Sequence, residues 1–238
     1  MLFGLGSNRS AREVNAGVVV GLVAEARIAR RLGCEVAVGG GTPAGAEKAA
    51  EDLVSTGARG LVSFGLAGGL APRLRPGDLV IPEAVLVGGR ALSTEPDLRR
   101  HFGRVTVHRL LAASTAVASA RDKRRLHEET GADAVDLESG AVALVAERHG
   151  LPFAVMRAVC DPAKRNLPPA ALAALDSRGV IGLGRVLASL AGDPRQLLSM
   201  LGLALDAAVA RRALLDRVTG VTGRFDSPDA EGGGGDLR

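Results

Sequence analysis

Aromatic residues are nearly absent from the sequence, whose 238 residues include five Phe and no Trp or Tyr. Proteins that bind single-stranded nucleic acids stack the bases on aromatic side chains. The shortage of aromatics therefore argues against nucleic acid as a partner.

Cysteine is also scarce, with Cys34 and Cys160 the two in the chain. Both lie in apolar runs, which is typical of buried free thiols rather than of a disulfide. Neither belongs to a Cys/His pattern with the spacing of a metal site. We therefore expect no disulfide, no bound metal and no cofactor.

The sequence also lacks any apolar run that approaches the ~20 residues of a membrane span. Its N-terminus has no charged-then-apolar signal segment. We therefore expect a cytoplasmic protein. The net charge is +4; an arginine-rich solvated surface is the ordinary explanation, and attraction to an anionic membrane surface is the functional alternative.

The chain is long enough, and at 47% hydrophobic residues apolar enough, for one large domain with a full core. We expect a flexible lead-in over 1–15, a domain over 16–218 with extra C-terminal helices from about 180, and a disordered tail over 219–238. Strands and helices alternate along the domain, which predicts an α/β fold with a mostly parallel or mixed sheet flanked by helices. The predicted strands are 16–22, 34–38, 59–65, 78–87, 105–112, 134–137 and 152–160, and the predicted helices include 24–32, 43–56, 95–102, 121–130, 167–174, 180–191 and 195–218.

The stretch 134–162 is the most informative part of the chain, because it reads as strand, helix, strand and each strand ends on a carboxylate. Glu138 ends the first strand, and Asp161 ends the second because Pro162 disfavours a helical residue before it. Two strands joined by one helix are normally parallel, so both carboxylates should lie at the sheet edge where α/β proteins bind ligands. Helix capping is the ordinary alternative for each of them.

Two glycine clusters follow strands and could bring the backbone close to an anion: 39–41, which contains Gly40, and 65–69, which contains Gly65, Ala67 and Gly68. Tight turns are the ordinary explanation for such clusters. Glu25 lies in the first turn of the first predicted helix.

Four segments taken together resemble the nucleoside phosphorylase/nucleosidase superfamily. They are SFGLAGGL at 63–70, RPGDLVIP at 75–82, VDLES at 135–139 and VMRAVCD at 155–161, and the resemblance covers roughly 17–190 in order. Within that superfamily the chain is most similar to the hopanoid-associated phosphorylases, which are thought to remove adenine from adenosylhopane.

This resemblance implies an α/β, three-layer nucleoside phosphorylase-like fold with a mixed central sheet flanked by helices. It also implies cleavage of a purine N-glycosidic bond in a nucleoside with a large apolar 5′ substituent. It implies that Asp161 protonates purine N7, that Glu138 and the neighbouring Leu137 bind the ribose, and that the 65–69 segment lines the sugar or anion side. Glu25 corresponds to a carboxylate that orients water in nucleosidases, where hexameric phosphorylases carry a phosphate-binding arginine. The nucleophile, water or phosphate, therefore stays open.

Alternatives remain for the activity and the partners. A methylthioadenosine/S-adenosylhomocysteine nucleosidase acting on small soluble substrates is the second enzyme hypothesis, and a nucleoside-binding protein without turnover is the non-enzymatic one. The resemblance also implies a homo-oligomer.

The helix predicted at the C-terminal end carries an apolar face between arginines. Packing on the domain explains such a face, but a basic amphipathic helix can also lie in a lipid headgroup layer. The alternative is therefore peripheral contact with the inner membrane face through 195–217. The apolar face consists of Leu197, Leu198, Leu201, Leu205, Val209 and Leu214.

Overall fold

The computed structural model describes residues 15–174 and 196–220. The strands are β1 Ala16–Val20, β2 Val36–Val38, β3 Gly60–Gly69, β4 Leu79–Val80, β5 Pro82–Val87, β6 Arg90–Ser93, β7 Val107–Ala112, β8 Ala134–Asp136 and β9 Phe153–Asp161. The helices are α1 Val23–Ala29, α2 Pro43–Ser55, α3 Pro96–Arg100, α4 Ala120–Thr130, α5 Ser139–His149, α6 Pro169–Ala174 and α7 Gln196–Thr219, and a 3-10 turn, Arg30–Leu32, extends α1. The helix expected at 180–191, most of the lead-in and the tail beyond residue 220 lie outside the described residues.

The strands form one mixed sheet, and β3 is its centre. The strand order is β2-β1-β3-β8-β7-β5-β6, and β9 pairs with both β3 and β4. β1 runs parallel to the first half of β3, and β9 runs parallel to β3 from Leu61 to Gly68. Helices cover both faces of this sheet, so the predicted fold class is confirmed.

The core has two apolar layers, one on each face of the sheet, because side chains alternate along buried strands. Val19, Leu61 and Val155 belong to the layer that packs against α2 and α5. Phe64 and Met156 belong to the other layer, which includes buried residues of α1, α3 and α7. The predicted strands at 16–22 and 152–160 are therefore confirmed, with small shifts at their ends, and both are buried.

The parallel arrangement expected for β8 and β9 is wrong. β8 pairs antiparallel with β3 at Gly68 and Gly69, whereas β9 is parallel to β3. β8 has only three residues, and it occupies the place beside β3 that β1 leaves after Phe64. The rule for one-helix crossovers fails here because β8 takes its direction from β7, with which it is parallel.

The glycine segment 65–69 was expected to be a turn after a strand, and this expectation is wrong. The segment is the second half of β3. Its small residues let β8 and β9 pair with β3 on either side, so the backbone hydrogen bonds continue through it. The sequence analysis also missed β6, which forms a hairpin with β5, and it merged β4 with β5.

The predicted helix at 195–218 is confirmed as α7, which packs against β9 through Ala210, Leu214 and Val218. Burial of Leu214 corrects the expectation that it shares the outer apolar face. The other five members of that face are at least half exposed, and they are Leu197, Leu198, Leu201, Leu205 and Val209. None of the described helices is long and apolar enough to cross a membrane.

Candidate active site

Arg157 is the centre of a buried ionic cluster on the face of the sheet that α2 and α5 cover. It stands on β9, between Met156 and Ala158, and is 1% exposed. Its guanidinium lies 2.6 Å from a Glu138 carboxylate oxygen and 2.8 Å from one of Asp136. It also donates to Ser63 Oγ over 2.6 Å. A charge taken this far out of water needs such partners, and here each Nη nitrogen has one.

The two acidic partners come from the turn between β8 and α5. Asp136 ends β8, and Glu138 occupies the N-cap position of α5. Asp136 also accepts hydrogen bonds from the backbone N–H and the hydroxyl of Ser139, at the start of the helix. The local turn therefore holds Asp136, while Arg157 holds Glu138 from the opposite strand.

Glu25 is the third carboxylate of this cluster, and backbone N–H groups hold it. One oxygen accepts from Gly21 and Leu22 over 3.0 and 2.8 Å, and the other accepts from Leu66 over 3.0 Å. The first two donors precede α1 and the third belongs to β3, so Glu25 connects two elements of the fold. With 2% of its surface exposed, it is more than a solvated first-turn glutamate.

Two glycines are required by the close approach of these charges. A Cβ on Gly21 would lie 2.0 Å from Glu138 Oε1. A Cβ on Gly65 would lie 2.7 Å from Glu25 Oε1 and 2.8 Å from Arg157 Nη1. Gly65 also has φ +149°, a conformation that residues with side chains rarely adopt. Gly21, which follows β1, and Gly65, which lies within β3, therefore leave room for the cluster.

Asp161 forms a second polar centre at the end of β9. Its Oδ2 lies 2.6 Å from the ammonium of Lys123, a residue of α4 that is fully buried. Its Oδ1 is buried and has no hydrogen-bond partner among the residues that the structure describes. An unpaired buried carboxyl oxygen is costly, so this atom is suited to form a hydrogen bond with a polar group of a ligand.

Both centres border one cavity of about 480 Å³. Its polar wall includes Glu25, Asp136, Glu138, Arg157 and Asp161. α7 supplies part of the apolar wall with Met200, Leu203, Ala204 and Ala207, and Arg211 follows on the same helix. The cavity therefore joins carboxylates on the sheet side to an apolar wall on the α7 side.

Burial raises the pKa of three of these carboxylic acids, Glu25, Glu138 and Asp161. Burial and the negative charge of Glu138 raise the pKa of Glu25 to about 7, although Arg157 opposes the shift. Burial also raises the pKa of Glu138 against the effect of Arg157, and that of Asp161 against the effect of Lys123. Acids with raised pKa values in a cavity can exchange protons with a ligand near neutral pH.

Cys160 is another lining residue with a raised pKa. Burial and the neighbouring Asp161 raise the pKa of its thiol to about 12, so the side chain stays protonated. Cys34 and Cys160 are both half-buried, and they form no disulfide with each other, as the sequence predicts.

The structure brings most of the sequence-predicted site residues together. Glu25, Leu137, Glu138 and Asp161 line the cavity, and from the glycine segment so do Ala67 and Gly68. Two placements differ from expectation. Gly65 contacts the ionic cluster rather than lining the cavity, and Gly41 lines it where Gly40 was expected.

Sequence reasoning missed several polar residues of the site. Arg157 was visible as the one charge in an apolar strand, a signal that a buried partner was required. Lys123 gave no signal, because it stands in a helix rich in charged residues that reads as a solvated surface. Ser63 and Ser139, whose hydroxyls are 3.1 Å apart, were likewise indistinguishable from ordinary small residues.

The fold and this cavity define an α/β protein with a buried, carboxylate-lined ligand site, and comparison with known proteins identifies its family. Residues 28–178 match the Phosphorylase superfamily, and the chain belongs to that superfamily. No curated protein sequence matches the chain.

Solved structures of similar fold include three from bacteria. The 5′-methylthioadenosine/S-adenosylhomocysteine nucleosidase of Colwellia psychrerythraea in complex with adenine has a TM-score of 0.62 at 17% identity, covering 89% of this chain and 97% of that one. A point mutant of the Helicobacter pylori enzyme MTAN, with 5′-methylthioadenosine in its active site, has a TM-score of 0.61 at 15% identity, covering 87% and 98%. Futalosine hydrolase of Helicobacter pylori has a TM-score of 0.61 at 15% identity, covering 88% and 99%.

Proposed function

We propose that the protein cleaves the N-glycosidic bond of a purine nucleoside. In this proposal Asp161 acts on the base, and the carboxylates around Arg157 act on the sugar. The separation of the two centres supports this division, because Gly65 adjoins the ionic cluster and Gly68 lies opposite Asp161 in the pairing of β3 with β9. Three residues of strand correspond to roughly 10 Å.

Bond cleavage leaves an electron-poor sugar and an electron-rich base, and the two centres suit these opposite demands. The electron pair of the C1′–N9 bond stays with the base, and protonated Asp161 gives a proton to N7 as the bond breaks. The raised pKa of Asp161 favours the protonated form that this step needs. The negative charge of Glu138 stabilises the positive charge that develops on the sugar.

We further propose that water, rather than phosphate, attacks C1′. Arg157 is already committed to Asp136, Glu138 and Ser63, and three carboxylates surround it. A phosphate dianion in this region would meet net repulsion, whereas a neutral water would not. With a pKa of about 7, ionised Glu25 can take the proton of the attacking water near neutral pH.

Each proton in this reaction has a source and an acceptor. Water oxygen bonds to C1′, its proton passes to Glu25, and Asp161 ends ionised after giving its proton to the base. Exchange with solvent then restores both side chains. Phosphorolysis is the second candidate, and Arg211 favours it, because this arginine lines the cavity and pairs with no described residue.

The identity of the 5′ substituent is a separate part of the proposal. The apolar α7 wall supports a nucleoside with a large apolar group, and the resemblance to hopanoid-associated phosphorylases makes adenosylhopane the first candidate. The alternative is a nucleoside with a small thioether as its 5′ group, such as 5′-methylthioadenosine, which the Helicobacter pylori nucleosidase mutant binds.

The test is turnover of adenosylhopane and of 5′-methylthioadenosine, each with and without phosphate, with mass analysis of the sugar product. We expect adenine release, a free sugar in both buffers, and faster turnover of the apolar substrate. Asp161→Asn should lower kcat by about 100-fold or more, whereas Arg211→Met should leave hydrolysis unchanged. A sugar phosphate as product would show that phosphate, rather than water, attacks C1′. Tight nucleoside binding without turnover would overturn the enzymatic proposal.

We also propose that the exposed face of α7 contacts a lipid bilayer. Residues 196–205 of the helix carry no charge, and four leucines among them are at least half exposed. The opposite side of the same helix lines the cavity, so an apolar substrate held in a bilayer would be next to its site. The positive net charge of the chain favours an anionic lipid surface.

A further inference from the structure

Lys123 is fully buried, which is unusual for a lysine, and all three of its donor hydrogens have acceptors. The ammonium lies 2.6 Å from Asp161 Oδ2, 3.2 Å from the carbonyl of Pro162 and 3.0 Å from that of Arg165. With no exposed surface and three satisfied donors, Lys123 is unavailable to contact a ligand in the cavity.

The same ammonium joins α4 to two segments that border the cavity, the end of β9 and the segment after it. Two other hydrogen bonds hold the start of α4 to the segment after β9. The N–H of Ala120 donates to Asn166 Oδ1, and the N–H of Leu167 donates to the carbonyl of Ala118, which precedes α4. Arg165 pairs with Asp206 of α7 at 2.7 Å. Lys123 is therefore at the junction of α4, the end of β9 and the segment that leads to α7.

Lys123 binds only one of the two carboxyl oxygens of Asp161. The lysine occupies Oδ2, while Oδ1 of the same carboxylate is buried without a partner among the described residues. Desolvating a lysine and an aspartate costs free energy that an apolar side chain of similar size would not, so fold stability is a weak reason for the pair. Fixing one oxygen so that the other faces the ligand is a stronger reason.

We propose that Lys123 is the positioning residue of Asp161, holding Oδ2 so that Oδ1 is presented to the ligand. The consequence for catalysis rests on the proposed function, in which Oδ1 carries the proton given to the base. The hold on the carboxylate itself is independent of any reaction. A misplacement of about 1 Å in a reacting group can cost roughly 100-fold in rate.

The test compares Lys123→Met with Lys164→Met. The first substitution removes the ammonium and keeps the length of the side chain, and the second changes an exposed lysine three residues after Asp161. Titration of ¹³C-labelled aspartate carboxyls, with the Asp161 signal assigned by its loss in Asp161→Asn, reports on the carboxylate directly. Removing a positive neighbour should raise the pKa of Asp161 in Lys123→Met and leave it unchanged in Lys164→Met.

Kinetics provide the second measurement. We expect Lys123→Met to lower kcat by about 100-fold with a smaller change in KM, and to move the alkaline limb of the pH profile to higher pH. A purely structural lysine would lower the amount of folded enzyme without moving that limb. Lys123→Arg, which keeps the charge, should recover part of kcat, and Lys123→Gln serves if the methionine variant does not fold.

The proposal would be overturned if Lys123→Met had the same Asp161 pKa and the same kcat per folded molecule as wild type. Loss of thermal stability alone, with both values unchanged, would overturn it as well. If wild-type protein cleaves no nucleoside, the proposed function fails, but the titration still decides whether Lys123 controls Asp161.

Discussion

At the scale of single residues, Arg157 decides whether the site can exist. Among the described residues, it is the one cation that contacts Asp136 and Glu138. Its charge also opposes the rise in the pKa of Glu25 that burial causes. Burial disfavours the charge of Arg157 itself, but the three carboxylates outweigh this effect and raise its pKa. The guanidinium therefore stays charged at all ordinary pH values.

Replacing Arg157 by Met should destabilise the fold by about 3–5 kcal/mol, because two buried carboxylates lose their partner. Arg90→Met is the matched control, since Arg90 forms an exposed pair with Glu147 at a similar distance of 2.7 Å. Such surface pairs contribute about 1 kcal/mol or less. Urea unfolding of both variants measures the difference, and equal losses would contradict the role given to Arg157.

Glu25 makes stability depend on pH. Its pKa is 4.5 when unperturbed and about 7 in the folded protein, so the folded state binds more protons between these values. The free energy of unfolding should therefore fall as pH rises from about 4.5 to 7, by about 3 kcal/mol from this residue. Glu138 and Asp161 add slopes of the same sign, because their pKa values are also raised.

The difference between wild type and Glu25→Gln isolates this contribution. Unfolding measured at several pH values should show a smaller fall for the variant across the same interval. Identical slopes would mean that Glu25 titrates normally. As the proposed base, ionised Glu25 should also make kcat/KM rise as pH increases through about 7, and the proposed acid Asp161 sets the alkaline limb.

At the scale of elements, β3 determines the shape of the site. It pairs with β1, β8 and β9, and its second half, which is mostly glycine and alanine, borders the ionic cluster and the cavity. The sequence placed a strand and a glycine cluster here correctly, but it could not show that the strand continues through the cluster. That continuation depends on β8 and β9 supplying hydrogen-bond partners from distant parts of the chain.

Gly65→Ala should be strongly destabilising, and Gly57→Ala is its control. Both glycines have positive φ, +149° and +106°, so an alanine is strained at either position. Only at Gly65 would the new Cβ meet Glu25 and Arg157, whereas at Gly57 nothing lies within 4 Å. Thermal unfolding should show a larger loss at Gly65, together with an altered pH dependence. Losses of equal size would mean that backbone strain alone explains the effect.

At the scale of the whole molecule, α7 connects the cavity to the outer surface. One side lines the cavity with Met200 and Leu203, and the other exposes Leu205, which is 68% accessible. Leu205→Glu should weaken binding to vesicles of phosphatidylcholine and phosphatidylglycerol, because a charge resists burial in the headgroup layer. Ser199→Glu, at an exposed polar position of the same helix, is the control for added charge.

Co-sedimentation with vesicles measures this binding, and light scattering gives the mass in solution. Wild-type protein should pellet with anionic vesicles, and Leu205→Glu should pellet less than Ser199→Glu. Absence of pelleting, with a dimer that Leu205→Glu converts to a monomer, would assign the apolar face to a second copy of the chain instead.

The sequence by itself determined the alternation of strands and helices, the buried character of β1 and β9, and the position of Asp161 at the end of a strand. These features follow from local patterning and from proline and glycine, which act over a few residues. Only the tertiary structure decided that β8 runs against β9, that Arg157 holds Glu138, and that Lys123 is buried. The reason is physical: a charged residue has the same local propensity whether water or a distant carboxylate surrounds it, and only packing brings that carboxylate into contact.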